Sequence, residues 1–179
     1  NKGTIILKEV YFHYSKTPGN KNYTADQYVT LYNNSNKVQY LDGIGVGVHT
    51  TYNSNTSQPY VKTWLGEGNT DPRDSVPNIA FGFNFPGNGS EHPLQPGEEV
   101  VVALSAINHT SAMTQTPINL AADNVWALWI PAFKGQKTPE IPESRWLHAF
   151  CEMGKGSMFI MSPQSPAVIL FHIEGGADE

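Results

Sequence analysis

The sequence has one cysteine among 179 residues. No disulfide can form within it, and every metal or redox motif that needs two thiols is excluded. Cys151 follows the apolar flank Leu147 to Phe150 and reads as a small core residue rather than a nucleophile. Charge is also sparse: 15% of residues are charged, and the formal net charge of -5 leaves the 11 lysines and arginines scattered. Without a basic stripe the electrostatic footprint of phosphate-backbone binding is missing, which excludes nucleic acid as a partner. Long apolar runs are missing as well. Val100 to Leu104 and Val168 to Phe171 are strand-sized, far below the roughly 18 to 20 residues that cross a bilayer, so no membrane span is expected in this sequence. Helical periodicity is absent too, since no stretch of about 12 residues or more carries a 3.6-residue repeat. The best helical candidate is a turn or two near Leu120 to Asn124.

What the sequence does have is a 39% hydrophobic share, 11% aromatics, 16 glycines and 13 prolines. That is enough side-chain volume for one core, divided by many turn residues, and it predicts a single domain over residues 1–179. The opening segment Thr4 to Tyr14 repeats Val10, Phe12 and Tyr14 with period two and ends in the turn Pro18-Gly19-Asn20. In Gln27 to Tyr32, Val29 and Leu31 share one face, and the strand stops at Asn33-Asn34-Ser35-Asn36. Val38 to Leu41, the turn Asp42-Gly43 and Ile44 to His49 follow, a succession that reads as a β-meander. Ile79 to Phe85 alternates cleanly, and Val100 to Ala106 is apolar apart from Ser105, as suits a central strand buried on both faces. Val125 to Ile130, Trp146 to Cys151, Met158 to Met161 and Val168 to Ile173 complete the strands. Many short strands between Gly, Pro and Asn turns predict an all-β sandwich, mostly antiparallel, with long loops and little helix.

Several of these segments resemble the lamin-tail domain, an Ig-like β-sandwich. They are Leu7-Lys8-Glu9-Val10-Tyr11, Gln27 to Ser35, Leu41-Asp42-Gly43-Ile44, and the block from Phe85-Pro86 through Leu94 and Pro96-Gly97-Glu98 to Val102. The run Ala106 to Thr110 is similar to one in uncharacterised exported lipoproteins of Bacteroides-type bacteria. The resemblance departs from the lamin-tail pattern at Thr30, where Glu is common, and at Ile44, where an aromatic is common. It implies an Ig-like sandwich forming part of a longer lipoprotein, located outside the cytoplasm at the cell envelope and lipid-anchored upstream. It also implies an adhesive or binding role, and it brings no catalytic residues and no cofactor.

Candidate chemistry is thin. The six histidines are far apart and match no metal-ligand spacing, and no nucleophile elbow is present. Asp71 and Asp74, in the acidic stretch Glu67 to Asp74 that follows Gly66 and contains Gly68, are weak candidates for Ca²⁺ ligation. Aromatics offer more, because sugar sites stack Trp and Tyr faces on the pyranose. Trp64 lies with Tyr52 and Tyr60 in the long polar excursion Thr51 to Asn78 and is the first candidate for a ligand-binding residue. Trp146 follows a Pro-rich loop and could cap either core or site, while Trp126 and Trp129 fall on opposite faces of one strand, so at least one fills the core. Three segments are candidate site loops: Thr51 to Asn78, Asn108 to Asn119 and Pro131 to Arg145. The leading expectation is a non-catalytic binding module for glycan. A structural or protein-interaction domain contacting another envelope protein is the alternative, and a hydrolase is the weakest reading.

Overall fold

Alternating apolar side chains produce strands whose inner faces can be buried only against another layer. The computed structural model describes residues 4–49, 79–112, 114–152, 161–162 and 166–173. In chain order its strands are β1 (Ile5–Tyr11), β2 (Ser15–Lys16), β3 (Asn22–Tyr23), β4 (Tyr28–Asn33), β5 (Gln39–Tyr40) and β6 (Ile44–His49). After these come β7 (Ile79–Asn84), β8 (Pro93–Leu94), β9 (Glu99–Ala103), β10 (Val125–Ala127), β11 (His148–Glu152) and β12 (Val168–His172). One four-stranded sheet runs β1-β4-β9-β10 and the other β11-β7-β6-β12, with β2-β3 and β5-β8 as short ribbons. Val29, Leu31, Val100, Val102 and Trp126 of the first sheet form one buried cluster with Val46, Val48 and Phe83 of the second. The two sheets therefore face each other, and the fold is an all-β sandwich as the sequence predicts. Each such side chain contributes about 1.5–3 kcal/mol on full burial, so this cluster is the main stabilising layer.

The strand positions follow the sequence reading closely, except that the strand expected at Met158 to Met161 lies outside the described residues but for Met161, which is in no strand; the pairing differs from that reading. The meander is corrected: β4 pairs with β1 and β9, whereas β6 pairs with β7 and β12 in the opposite sheet. The Asp42-Gly43 turn, with Gly43 at φ +73°, carries the chain from one sheet toward the other. Period-two alternation marks a half-buried strand and is silent on which sheet receives it. Leu120 to Asn124 forms a turn closed by Val125 N–H donating to Ala122 O at 3.2 Å, not a helix. The helical elements among the described residues are single 3-10 turns at Thr110–Ala112 and Glu143–Arg145. No helix among the described residues is long and apolar enough to cross a membrane.

Strand β9 behaves as its composition requires. It lies between β4 and β10, with Val100 and Val102 in the inter-sheet cluster and Ala103 in a second cluster on the outer face with Ala106, Leu120, Val125, Ala127 and Ile141. β9 and β10 run parallel, in register from Val101 against Val125 to Ala103 against Ala127. Parallel neighbours cannot be joined by a tight hairpin, so residues 104–124 must cross over outside the sheet. That crossover builds most of the candidate site.

Candidate functional site

The crossover folds back on itself: His109 N–H donates to Ile118 O and Leu120 N–H to Ile107 O, both at 3.0 Å. It is then tied to the Pro-rich loop 131–145 from two directions. Glu140 accepts the Asn108 N–H at 2.9 Å through Oε2 and donates its own N–H to Ala106 O at 2.8 Å. Gln136 reaches Leu104 O and Leu128 O through its side-chain amide, and Phe133 and Ile141 anchor the loop as buried apolar side chains. Two of the three loops marked as site candidates therefore meet.

Where they meet, the segment Tyr23–Ala25 closes a cavity of about 430 Å³. Its walls are Leu104, Ser105, Ile107, Asn108, Ser111 and Ala112 of the crossover, Gly135 to Lys137 of the second loop, and Tyr23 to Ala25. The wall combines apolar side chains with hydroxyl, amide and ammonium groups, a composition typical of small-molecule sites. Lys137 is exposed and makes no ion pair among the described residues.

Half-buried Tyr23, in this wall, is hydrogen-bonded to His109 behind it, a pair that sequence spacing could not show because its members are 86 residues apart. The Tyr23 hydroxyl lies 2.6 Å from His109 Nδ1, and His109 Nε2 lies 2.8 Å from the Ser105 carbonyl. His109 is 1% exposed. Burial, and then the charge of Asp26, push the Tyr23 phenol above its usual pKa, so it remains a hydroxyl. Asp26 is itself buried and accepts a hydrogen bond from Ser15 Oγ at 2.6 Å. The hydrogen-bonding partners of Ser15 are Asp26, Tyr11 and Thr116, none of them a histidine.

Among the described residues, Asp42, Glu91 and His92 bring one ligand atom each within 4.8 Å of one another. Both Asp42 oxygens already accept main-chain N–H groups, from Glu91 and from His92, each at 2.9 Å. His92 packs edge-on against Trp126 at 4.9 Å. The arrangement is a clamp that fastens the loop after β7 to the turn before β6.

Trp146 is half-buried in the outer cluster. Its ring meets Trp129 edge-on at 4.9 Å, and its Nε1–H donates to Ile141 O at 3.3 Å. Trp126 fills the inter-sheet core at 6% exposure. Trp64, Tyr60 and Tyr52, with Asp71 and Asp74, lie outside the described residues, as does the whole excursion Thr51 to Asn78. Cys151 belongs to β11 by its backbone, and its side chain is likewise outside the described set.

The fold and the loop-end cavity define a β-sandwich with a small-molecule-sized site at one end. The chain is similar to a DUF4876 family protein from Bacteroides thetaiotaomicron known from a crystal structure, with a TM-score of 0.78 and 27% sequence identity over 97% of this chain. It spans 44% of the length of that protein. The expected likeness to a Bacteroides protein of unknown function is thereby met. No family model and no curated protein matches the sequence.

Proposed function

We propose that this chain is a non-catalytic binding module of an exported bacterial envelope protein, and that its ligand is a small hydroxyl-rich molecule, such as the end of a glycan, held in the loop-end cavity. The observation that carries the reading is the closure of three chain-distant segments, Tyr23–Ala25, 104–112 and 135–137, around one cavity of mixed apolar and hydroxyl character. Mixed lining of this kind suits a pyranose, which has an apolar face and a hydroxyl rim. The lamin-tail-like, Ig-like assignment belongs to the same proposal. It is supported by the strands at Leu7 to Tyr11 and Gln27 to Ser35 and by the Asp42-Gly43 turn. The envelope location rests on that resemblance alone.

The test is titration of the folded chain with a monosaccharide and oligosaccharide panel, followed by NMR shifts at Tyr23, Ser111 and Lys137. Ser111 is exposed, so Ser111→Trp fills the cavity without touching the core. Saturable shifts that this substitution abolishes support the proposal. Shifts elsewhere, or none, overturn it.

A second reading, a protein-interaction domain, is favoured by one observation. Val38 and Tyr40 are large apolar side chains at 38% and 42% exposure, the first just before and the second within the short ribbon β5-β8. A stable envelope partner lost in a Val38→Ser, Tyr40→Ser double variant would carry it.

A further inference from the structure

The proton on Tyr23 decides what the cavity can recognise. A neutral imidazole carries one N–H, and the carbonyl of Ser105 can only accept, so the His109 proton must sit on Nε2. Nδ1 is then a bare acceptor 2.6 Å from the Tyr23 hydroxyl, which must spend its only proton on it. The phenol oxygen keeps lone pairs and has no proton left to offer. With its pKa raised, Tyr23 does not escape this constraint by ionising.

We infer that Tyr23 acts in the cavity purely as a hydrogen-bond acceptor, with its polarity fixed by His109, so that the site selects a neutral sugar hydroxyl that donates to Tyr23 Oη. This rests on the proposed binding reading and adds the polarity of one contact. The two charged groups nearby oppose ionic ligands of either sign. Asp26 lies close enough to Tyr23 for its charge to act on the phenol, which disfavours an anion there, while Lys137 on the wall disfavours a cation. A neutral polyol meets both, donating one hydroxyl to Tyr23 and offering another as acceptor to the ammonium.

Two measurements test it. The first needs no ligand: long-range ¹H–¹⁵N correlation of His109 reads its tautomer, and the Nε2–H form is expected. The Nδ1–H form overturns the inference whatever binds. The second uses glucose, galactose, mannose and N-acetylglucosamine with their monofluoro-deoxy analogues, in which fluorine removes the donor at one position and keeps the shape. One position should weaken binding roughly 3- to 10-fold in the native chain, the value of a single neutral hydrogen bond, and have no effect in Tyr23→Phe. Thermal melting confirms that Tyr23→Phe is folded. Sugar binding that fluorination and Tyr23→Phe both leave unchanged overturns this inference and leaves the binding module standing. No binding of any sugar overturns the glycan reading itself, while the tautomer still tests the polarity of Tyr23.

Discussion

Gln27 grips the backbone of Met161 from 134 residues away, accepting the Met161 N–H at 2.8 Å through Oε1 and donating to the Met161 carbonyl at 3.0 Å through Nε2. The second proton of the same amide goes to Phe12 O at 2.6 Å. Gln27 is 0% exposed and Met161 1%, so its side chain substitutes for a missing strand partner inside the core.

Replacement of Gln27 by Met keeps the volume and strands three main-chain groups. At about 1–3 kcal/mol for each buried group left unpaired, Gln27→Met is expected to cost several kcal/mol. Gln27→Glu should also destabilise, because a carboxylate cannot donate to two carbonyls. Urea denaturation checks both, and a midpoint within error of the native chain would contradict the clamp.

Asp42 and Gly87 form a coupled pair. Burial alone would raise the Asp42 pKa, but the amide donations from His92 and Glu91 outweigh it and hold the carboxyl below its ordinary value. A depressed pKa means that the stabilisation is present above the ordinary carboxylate range and is lost as pH falls through the folded-state value. Asp42→Ala should therefore destabilise by roughly 1.5–3 kcal/mol for each charge-assisted bond at neutral pH, and by less in acid. Gly87 has φ +115°, and a Cβ there would stand 1.9 Å from Asp42 Oδ1, so Gly87→Ala should also be severe. In the Asp42→Ala background the clash is relieved and only the backbone strain remains. A double-mutant cycle by chemical denaturation at neutral and acid pH should show this non-additivity.

Tyr28 supplies a prediction at the other end of the pH scale. Burial first, then donation to Glu9 Oε1 at 3.0 Å, then the Glu9 charge, push its phenol from the usual 10 to about 12. The unfolded chain releases this proton near pH 10 and the folded chain near 12, so the stabilisation is complete below pH 10 and disappears as pH rises through that window. In a tyrosinate absorbance titration, one phenol should appear only near the upper limit. Tyr28→Phe should delete that step, and Glu9→Gln should move it down.

The longer strands were legible because each carries its own signal, whereas the two-residue strands β2, β3 and β8 are too short to show a period. Val29 and Leu31 alternate in β4, and the unbroken apolar run at Val100 announces a central strand. Their partners were not legible, since pairing depends on turns such as Asp42-Gly43 that redirect the chain without leaving a mark in periodicity. The site divides the same way. Proline and asparagine content marked the loops 108–119 and 131–145, but the bond from Asn108 N–H to Glu140 that closes them joins residues 32 apart. Tyr23 follows the turn Pro18-Gly19-Asn20, and His109 is one of six scattered histidines. Only the packing of the crossover against β3 makes them a pair, and no local spacing encodes it.

Trp146 separates a core role from a ligand-stacking one. Its ring is engaged edge-on with Trp129, its indole N–H is satisfied by Ile141 O, and Ala127 bridges to its backbone. Arg145 beside it donates to Ala122 O at 2.6 Å and Val125 O at 3.1 Å, fixing the backbone that carries the indole. A side chain so engaged contributes through burial and ring geometry, so Trp146→Ala is expected to destabilise, by less than the about 3–5 kcal/mol of a fully buried tryptophan. Trp146→Phe should recover part of the area and lose the N–H contact, falling between the two. If Trp146 stacked on a ligand instead, Trp146→Phe would melt like the native chain and lose affinity. Thermal melting of both variants beside a sugar titration decides it. The geometry predicts lowered melting temperatures with unchanged affinity for whatever the Tyr23 cavity binds.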